Sequence, residues 1–170
     1  MAITTGIRHA SAADMEKVRD ICRQYRSLLL ERTGDRAAAV EAYYPADAFE
    51  DFIATLETVH ARPTGAILVA TLNGDVVGCG MLSTHSTGLA EMYRLFVEER
   101  ARGHSLGRRL CEQLIDDARA MGHTKIRLET GKPLVEAISL YTSMGFSEIP
   151  VWYKVPSGLD GILMAFERPI

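Results

Sequence analysis

Apolar residues recur along the chain with two periods, and the changes from one period to the other mark out the elements. Met15, Val18, Ile21, Cys22, Tyr25, Leu28 and Leu29 fall at helical spacing while Glu16, Lys17, Arg19, Asp20 and Arg23 take the opposite face, which predicts a helix over about 12–30. Ser11, with Asp14 three residues on, is a capping-box-like start, and residues 7–10 are a short lead-in. The pattern weakens from Glu31 to Pro45, which reads as an irregular connection. In it Tyr43 and Tyr44 either line a substrate mouth or pack a mobile loop. Helical spacing resumes over 46–56, with Phe49, Phe52, Ile53 and Leu56 on one stripe.

A β-type run at 66–72 then meets Asn73-Gly74, a strong hairpin signal, and 76–83 returns as its partner. A third run, 89–97, completes an antiparallel meander. Alternation along it places Glu91, Tyr93 and Leu95 on one face and Met92, Arg94 and Phe96 on the other. After Gly103 a helix runs to about Met121, with Leu106, Leu110, Leu114, Ile115 and Ala118 inward and Gly122 as its stop. Strand 125–129 follows, and the strand–helix–strand order predicts that it lies parallel to 89–97. A helix over 133–144 ends at Gly145, and β-type segments at 151–155 and 162–167, joined by the turn 156–161, close the chain. The expected fold class is α/β (α+β), a single domain over 1–170 with a mixed sheet and helices on both faces.

Composition narrows the function classes. A chain of 170 residues with 47% hydrophobic and 24% charged positions has enough apolar surface for one core. A net charge of −3 gives no overall footprint for nucleic acid or an anionic membrane, so any polyanion site is local. Cys22, Cys79 and Cys111 have neither CxxC spacing nor an even count, which argues against a disulfide framework or a zinc site and fits a reducing cytoplasm. No basic-then-apolar leader opens the chain, no run is long enough to span a bilayer, and no repeat is present.

The candidate chemistry centres on the stretch from Val97 to Leu110. A strand ends there, a short basic loop with Gly103 and Gly107 follows, and a long helix begins, so unpaired backbone N–H groups and the helix dipole converge on one spot. This is an anion cradle. It lacks the Gly-Lys-Ser/Thr ending of a Walker loop and the G-x-G-x-x-G spacing of a dinucleotide fold.

Arg102-Gly103-His104-Ser105-Leu106-Gly107, followed by Arg108-Arg109-Leu110, resembles the acyl-CoA-binding motif of the GCN5-related N-acetyltransferases (GNAT), whose pattern is R/Q-x-x-G-x-G/A after a strand. The strand Glu91-Met92-Tyr93-Arg94-Leu95-Phe96-Val97 and the later Leu140-Tyr141-Thr142-Ser143-Met144-Gly145-Phe146 stand where that family has similar segments. The matching elements cover about 66–146. Two positions depart from the pattern. Ser105 replaces the middle glycine, and Leu134 replaces the asparagine or glutamine often found before the last helix. With negative φ, Ser105 still offers its N–H, and its hydroxyl adds a donor.

The resemblance implies a splayed parallel strand pair that admits the pantetheine arm against backbone near Leu95, Phe96 and Val97. It implies a pyrophosphate seat on the N–H groups of Gly103, His104, Ser105, Leu106 and Gly107, with charge from Arg102, Arg108 and His104. Tyr141 takes the position of the general acid that protonates the CoA thiolate, the other reading being a core aromatic that closes its helix. Glu91 is the first candidate for the base, with Glu129 and His85 behind it. Cys111 lies inside the helix and suits packing better than nucleophilic catalysis. The resemblance thus implies acetyl-CoA as cosubstrate, no metal, and direct acetyl transfer to a primary amine of a small molecule or peptide in a ternary complex. A homodimer is left open. The alternative is a non-catalytic module that binds or senses acyl-CoA.

Overall fold

Seven strands in the spatial order β1-β2-β3-β4-β5-β7-β6 form one sheet in the computed structural model, which describes residues 2–170. Their ranges are β1 Thr5–His9, β2 Gly65–Leu72, β3 Asp75–Ser86, β4 Leu89–Val97, β5 Lys125–Gly131, β6 Ser147–Ile149 and β7 Leu163–Pro169. The helices are α1 Met15–Thr33, α2 Ala37–Tyr43, α3 Ala46–Ile53, α4 Leu56–Val59, α5 Leu106–Ala120 and α6 Val135–Ser143. All neighbouring strands are antiparallel except β4 and β5, which the α5 crossover makes parallel as the βαβ order predicts. The α/β class with a mixed, mostly antiparallel sheet is therefore the observed one.

The sheet buries both faces. On one, Leu106, Leu110, Leu114 and Ile115 of α5 pack on Leu68, Leu82, Met92, Ile126 and Leu128, with Tyr141, Phe146 and Phe166 extending the same core. On the other, Val18, Ile21 and Cys22 of α1 and Phe49 and Ile53 of α3 pack on Val69, Cys79 and Met81. A smaller cluster, Leu29, Val40, Leu134, Leu159 and Ile162, joins the end of α1 to the start of α6. The β2–β3 turn has Asn73 at φ 52° and Gly74 at φ 90°, the paired left-handed geometry that Asn-Gly favours. Among the described residues no helix is long and apolar enough to cross a membrane.

Five expectations need correction. Residues 31–45 are not irregular: α1 continues to Thr33, Gly34 breaks it at φ 56°, a short 3-10 turn follows, and α2 begins at Ala37. Its Ala-rich sequence favours a helix by propensity, while Val40 alone is buried, so the apolar period had nothing to register. The 46–56 helix is two pieces, α3 and α4. Residues 151–155 form no strand. Flanked by Pro150 and Pro156, they turn Trp152 and Tyr153 toward β5, and the strand that pairs with β7 is the earlier β6. Residues 7–10 are expected only as a lead-in, whereas Thr5–His9 form edge strand β1 against β2.

The fifth correction concerns β4. Tyr93 pairs with Met81 and Phe96 with Cys79, so Arg94 and Leu95 together stand opposite Gly80. This is a β-bulge, with Arg94 at φ 49°. It resets the alternation: Leu95 and Val97 join Met92 on the α5 side, and Phe96 joins Tyr93 on the α1 side. Gly80 makes room, since a Cβ there would sit 3.0 Å from Leu95 Cδ1 and 2.9 Å from Leu114 Cδ1.

Candidate functional site

The β4–β5 ladder runs from Leu89 opposite Lys125 to Met92 opposite Leu128 and then ends. From Tyr93 onward the bulge carries β4 away, while β5 stays paired with β7 through Gly131. The parting strands open a cleft of about 250 Å³ at the carboxyl ends of a parallel pair, the usual place for a ligand in such sheets. Its walls include Leu95, Phe96 and Val97 of β4, Glu129 and Thr130 of β5, Tyr25 and Arg32 of α1, and Leu134, Leu140 and Tyr141 around α6.

One end of this cleft is the loop before α5. Arg102, Gly103, Ser105, Leu106 and Gly107 all border it. Glu98 folds the approach by accepting from Lys17 at 2.5 Å and Gln24 at 2.9 Å, and Ala101 is fully buried beneath it. Gly103 has φ 83° and Ser105 φ 56°. The condition of negative φ at Ser105 is thus not met: the serine occupies left-handed backbone that suits glycine, at a cost of about 1–2 kcal/mol. No backbone N–H from 103 to 107 finds an acceptor among the described residues, the first internal bond being Arg109 N–H to the Ser105 carbonyl at 3.0 Å. A row of free donors at a helix start attracts anions.

The expected basic residues separate. Arg102 borders the cleft. Arg108 turns to the far side of α5 and donates to Ser143 Oγ at 2.6 Å, and His104 also lies outside the cleft lining. Arg32, which the motif did not single out, borders the cleft but is paired with Glu136 at 2.9 Å. That pairing lowers the Glu136 carboxyl to about 2.

Tyr141 is 5% exposed and stands between Phe146 and Phe166, at ring-centroid distances of 5.8 and 6.4 Å. It is both a core aromatic and a cleft residue. Burial drives its phenol well above the ordinary value, so it stays protonated through neutral pH and can act as a donor.

A second cleft, of about 290 Å³, lies against the first on the α1–α3 side and shares Tyr25, Met92, Tyr93, Arg94 and Glu129 with it. Tyr43, Tyr44, Phe49, Phe52 and Trp152 give it aromatic walls. Of the two alternatives for Tyr43 and Tyr44, lining a mouth is the one this geometry matches.

Glu91 borders this second cleft alone and is 8% exposed. Its Oε2 accepts from Arg127 Nη2 at 3.2 Å and lies 3.4 Å from His85 Nδ1, while His85 itself borders neither cleft. Glu129 differs in each respect. It borders both clefts, accepts a hydrogen bond from the Tyr153 hydroxyl, and has no basic partner among the described residues. Burial raises its carboxyl above the usual range against the opposing effect of Tyr153. Tyr153, held up by burial and by Glu129, remains a proton donor in that bond.

The motif search missed Arg94, Arg127, Tyr153 and the Arg32–Glu136 pair. Arg94 had a visible signal, a lone charge inside the apolar run Met92–Val97. Among the described residues no group of three His, Cys, Asp or Glu is placed to hold a metal.

Comparison with known proteins gives a consistent outcome. The profile of the Acetyltransferase (GNAT) family matches residues 23–146. The chain is 38% identical over 128 residues to an IAA acetyltransferase of Azospirillum brasilense, covering 75% of this chain and 80% of that protein. In fold it is similar to an acetyltransferase of the GNAT family from Staphylococcus aureus, with TM-score 0.74, 19% identity and 98% and 99% of the two chains covered. It is also similar to the PaiA N-acetyltransferase of Thermoplasma acidophilum, solved in complex with coenzyme A, with TM-score 0.72, 16% identity and the same coverage.

Proposed function

Because the chain belongs to the Acetyltransferase (GNAT) family and is an N-acetyltransferase, we propose that it moves acetyl from acetyl-CoA directly to a primary amine, with both substrates bound in adjoining clefts. The observation that carries this reading is the early end of the β4–β5 ladder at Met92 and Leu128, beside a row of free N–H groups at the start of α5. An acyl-CoA fits that pair of features: the 103–107 donors and Arg102 suit a pyrophosphate, and the β4 backbone beyond Met92 suits an extended amide-bearing arm. Acetyl-CoA supplies acetyl as an activated thioester, whose C–S bond breaks as the amine nitrogen forms the new C–N bond.

Proton handling falls to the chain. Glu129, half-buried, accepts the proton lost by the amine, directly or through one water, since it borders both clefts and Glu91 borders only the second. Glu91, the first choice from sequence, holds Arg127 in place instead. Tyr141 gives its phenolic proton to the departing thiolate. An acyl-enzyme has no support, because Cys22, Cys79 and Cys111 are all buried and burial pushes the Cys111 thiol up to about 12. Three buried free thiols suit the reducing cytoplasm.

Release of free CoA thiol from acetyl-CoA, measured with a panel of primary amines and short peptides, tests the reading. Amine-dependent release above background hydrolysis supports it. Tight acetyl-CoA binding with no such release for any amine replaces it with a sensing module.

A further inference from the structure

Arg94 is a charged residue at the junction of the two clefts that acetyl transfer does not use. It borders both of them, at the point where the acceptor nitrogen must meet the thioester. The bulge holds its backbone at φ 49°, and its guanidinium lies 4.3 Å from the centroid of the Phe52 ring. The neighbouring arginines are engaged: Arg26 with Glu41 and the Tyr44 carbonyl, Arg127 with Glu91. Arg94 has no carboxylate within 4.0 Å among the described residues and donates no side-chain hydrogen bond to them. A half-buried guanidinium with an unused donor fork in an aromatic cleft is suited to a planar anion, which it can grip through two parallel bonds.

Position sets the rest of the ligand. Arg94 and Glu129 both border the junction of the clefts, so an acceptor that reaches from one cleft into the other passes both side chains. The body of that acceptor then points into walls built from Tyr43, Tyr44, Phe49, Phe52, Tyr93 and Trp152. We propose that the acceptor is an α-amino acid with an aromatic or large apolar side chain, its carboxylate held by Arg94 and its side chain in the aromatic cleft. The cleft, about 290 Å³, is of a size for a small molecule. A peptide amino terminus carries no α-carboxylate for Arg94 to hold and is disfavoured. The proposal rests on the N-acetyltransferase reading above and deepens it.

The test compares matched acceptors with acetyl-CoA, reading kcat/KM from thiol release: L-phenylalanine and L-tryptophan against phenethylamine, tryptamine and L-phenylalanine amide. The acids are expected to exceed their neutral counterparts by about 10- to 100-fold, the usual worth of a charged hydrogen-bonded contact. In Arg94→Gln the acid-to-neutral ratio should fall toward one, and Arg94→Lys should restore part of it. Because the ratio is internal to each variant, partial loss of folded protein lowers both rates and leaves it intact. Equal or faster turnover of the neutral amines, or a ratio that Arg94→Gln leaves unchanged, overturns the assignment while the transferase reading stands. Absence of thiol release with every amine, despite acetyl-CoA binding by calorimetry, removes the transferase reading itself and this proposal with it.

Discussion

Arg127 carries the Trp152 indole, its guanidinium carbon 3.6 Å from the ring centroid, while its Nη2 donates to Glu91 at 3.2 Å. A residue of the central sheet thus fixes a wall of the second cleft that belongs to no strand or helix. Trp152→Ala removes that wall and the cation–π contact, worth about 1–2 kcal/mol when largely desolvated. The expected result is an acceptor KM raised about 10-fold with the acetyl-CoA KM within about 2-fold. As Trp152 is the chain's one tryptophan, quenching of its fluorescence by acceptor gives a second readout.

Glu129→Gln keeps the side-chain shape and removes the base, so kcat/KM should fall by about 10²- to 10⁴-fold. A base works only when deprotonated, and burial raises the Glu129 carboxyl. Activity of the native protein should therefore be present at neutral pH and lost on acidification at a pH above the ordinary carboxylate range. A pH profile that loses this limb in Glu91→Gln but keeps it in Glu129→Gln would return the base to Glu91.

For Tyr141→Phe a fall in kcat of about 10- to 100-fold is expected with nearly unchanged acetyl-CoA affinity, because a phenyl ring fills the same place between Phe146 and Phe166. Equal losses in affinity and rate, measured by calorimetry and initial rates, would assign Tyr141 to packing alone.

Ser105→Gly relieves the left-handed backbone at the mouth of the cradle, partly offset by greater freedom of the unfolded chain. A net gain of about 1 kcal/mol, seen as a Tm higher by about 2–4 °C, is the expected outcome. Gly107→Glu acts oppositely on binding. A Cβ there meets only Leu140 Cδ2 at 3.6 Å, an ordinary contact, so the harm comes from placing a carboxylate at an anion seat. Isothermal titration with CoA should show weaker binding for Gly107→Glu.

His60 titrates against folding. It is 3% exposed, its Nδ1 lies 3.1 Å from the Leu82 carbonyl and 2.7 Å from Ser83 Oγ, and its Nε2 is buried without a partner. Burial lowers its pKa to about 4. Between the unfolded value near ~6.5 and about 4 the unfolded chain binds a proton that the folded chain refuses, so stability is full above the upper value and falls with pH through that window. The loss is on the order of 3 kcal/mol. Urea unfolding across pH should show this slope, and His60→Gln should flatten it.

Much of the fold was legible because local signals agreed with tertiary need. The Asn73-Gly74 turn, the α5 stripe and the strand–helix–strand order each fix one element and together fix the parallel pair. The losses have physical causes. In α2 propensity forms the helix while only Val40 is buried, so periodicity is silent. In 151–155 a β-like composition serves a cleft wall, and flanking prolines exclude pairing. In β4 the bulge at Arg94 inverts the facing of Leu95, which no period of two can anticipate. Of the site, the loop residues and Tyr141 meet in one cleft as the motif implied. Arg108 and His104 fall outside it, because a helix start directs side chains radially even where its N–H groups converge. The Arg127 partner of Glu91 comes from another strand and leaves no trace in local spacing, so the differing surroundings of Glu91 and Glu129 were not legible.

The short β4–β5 ladder also divides the sheet. β1 through β4 form one leaf and β5, β7 and β6 the other, and four residue pairs between Leu89 and Met92 and between Lys125 and Leu128 stitch them together within the sheet. Met92, at the end of that seam, borders both clefts, so the four pairs that join the leaves also fix where the two clefts meet.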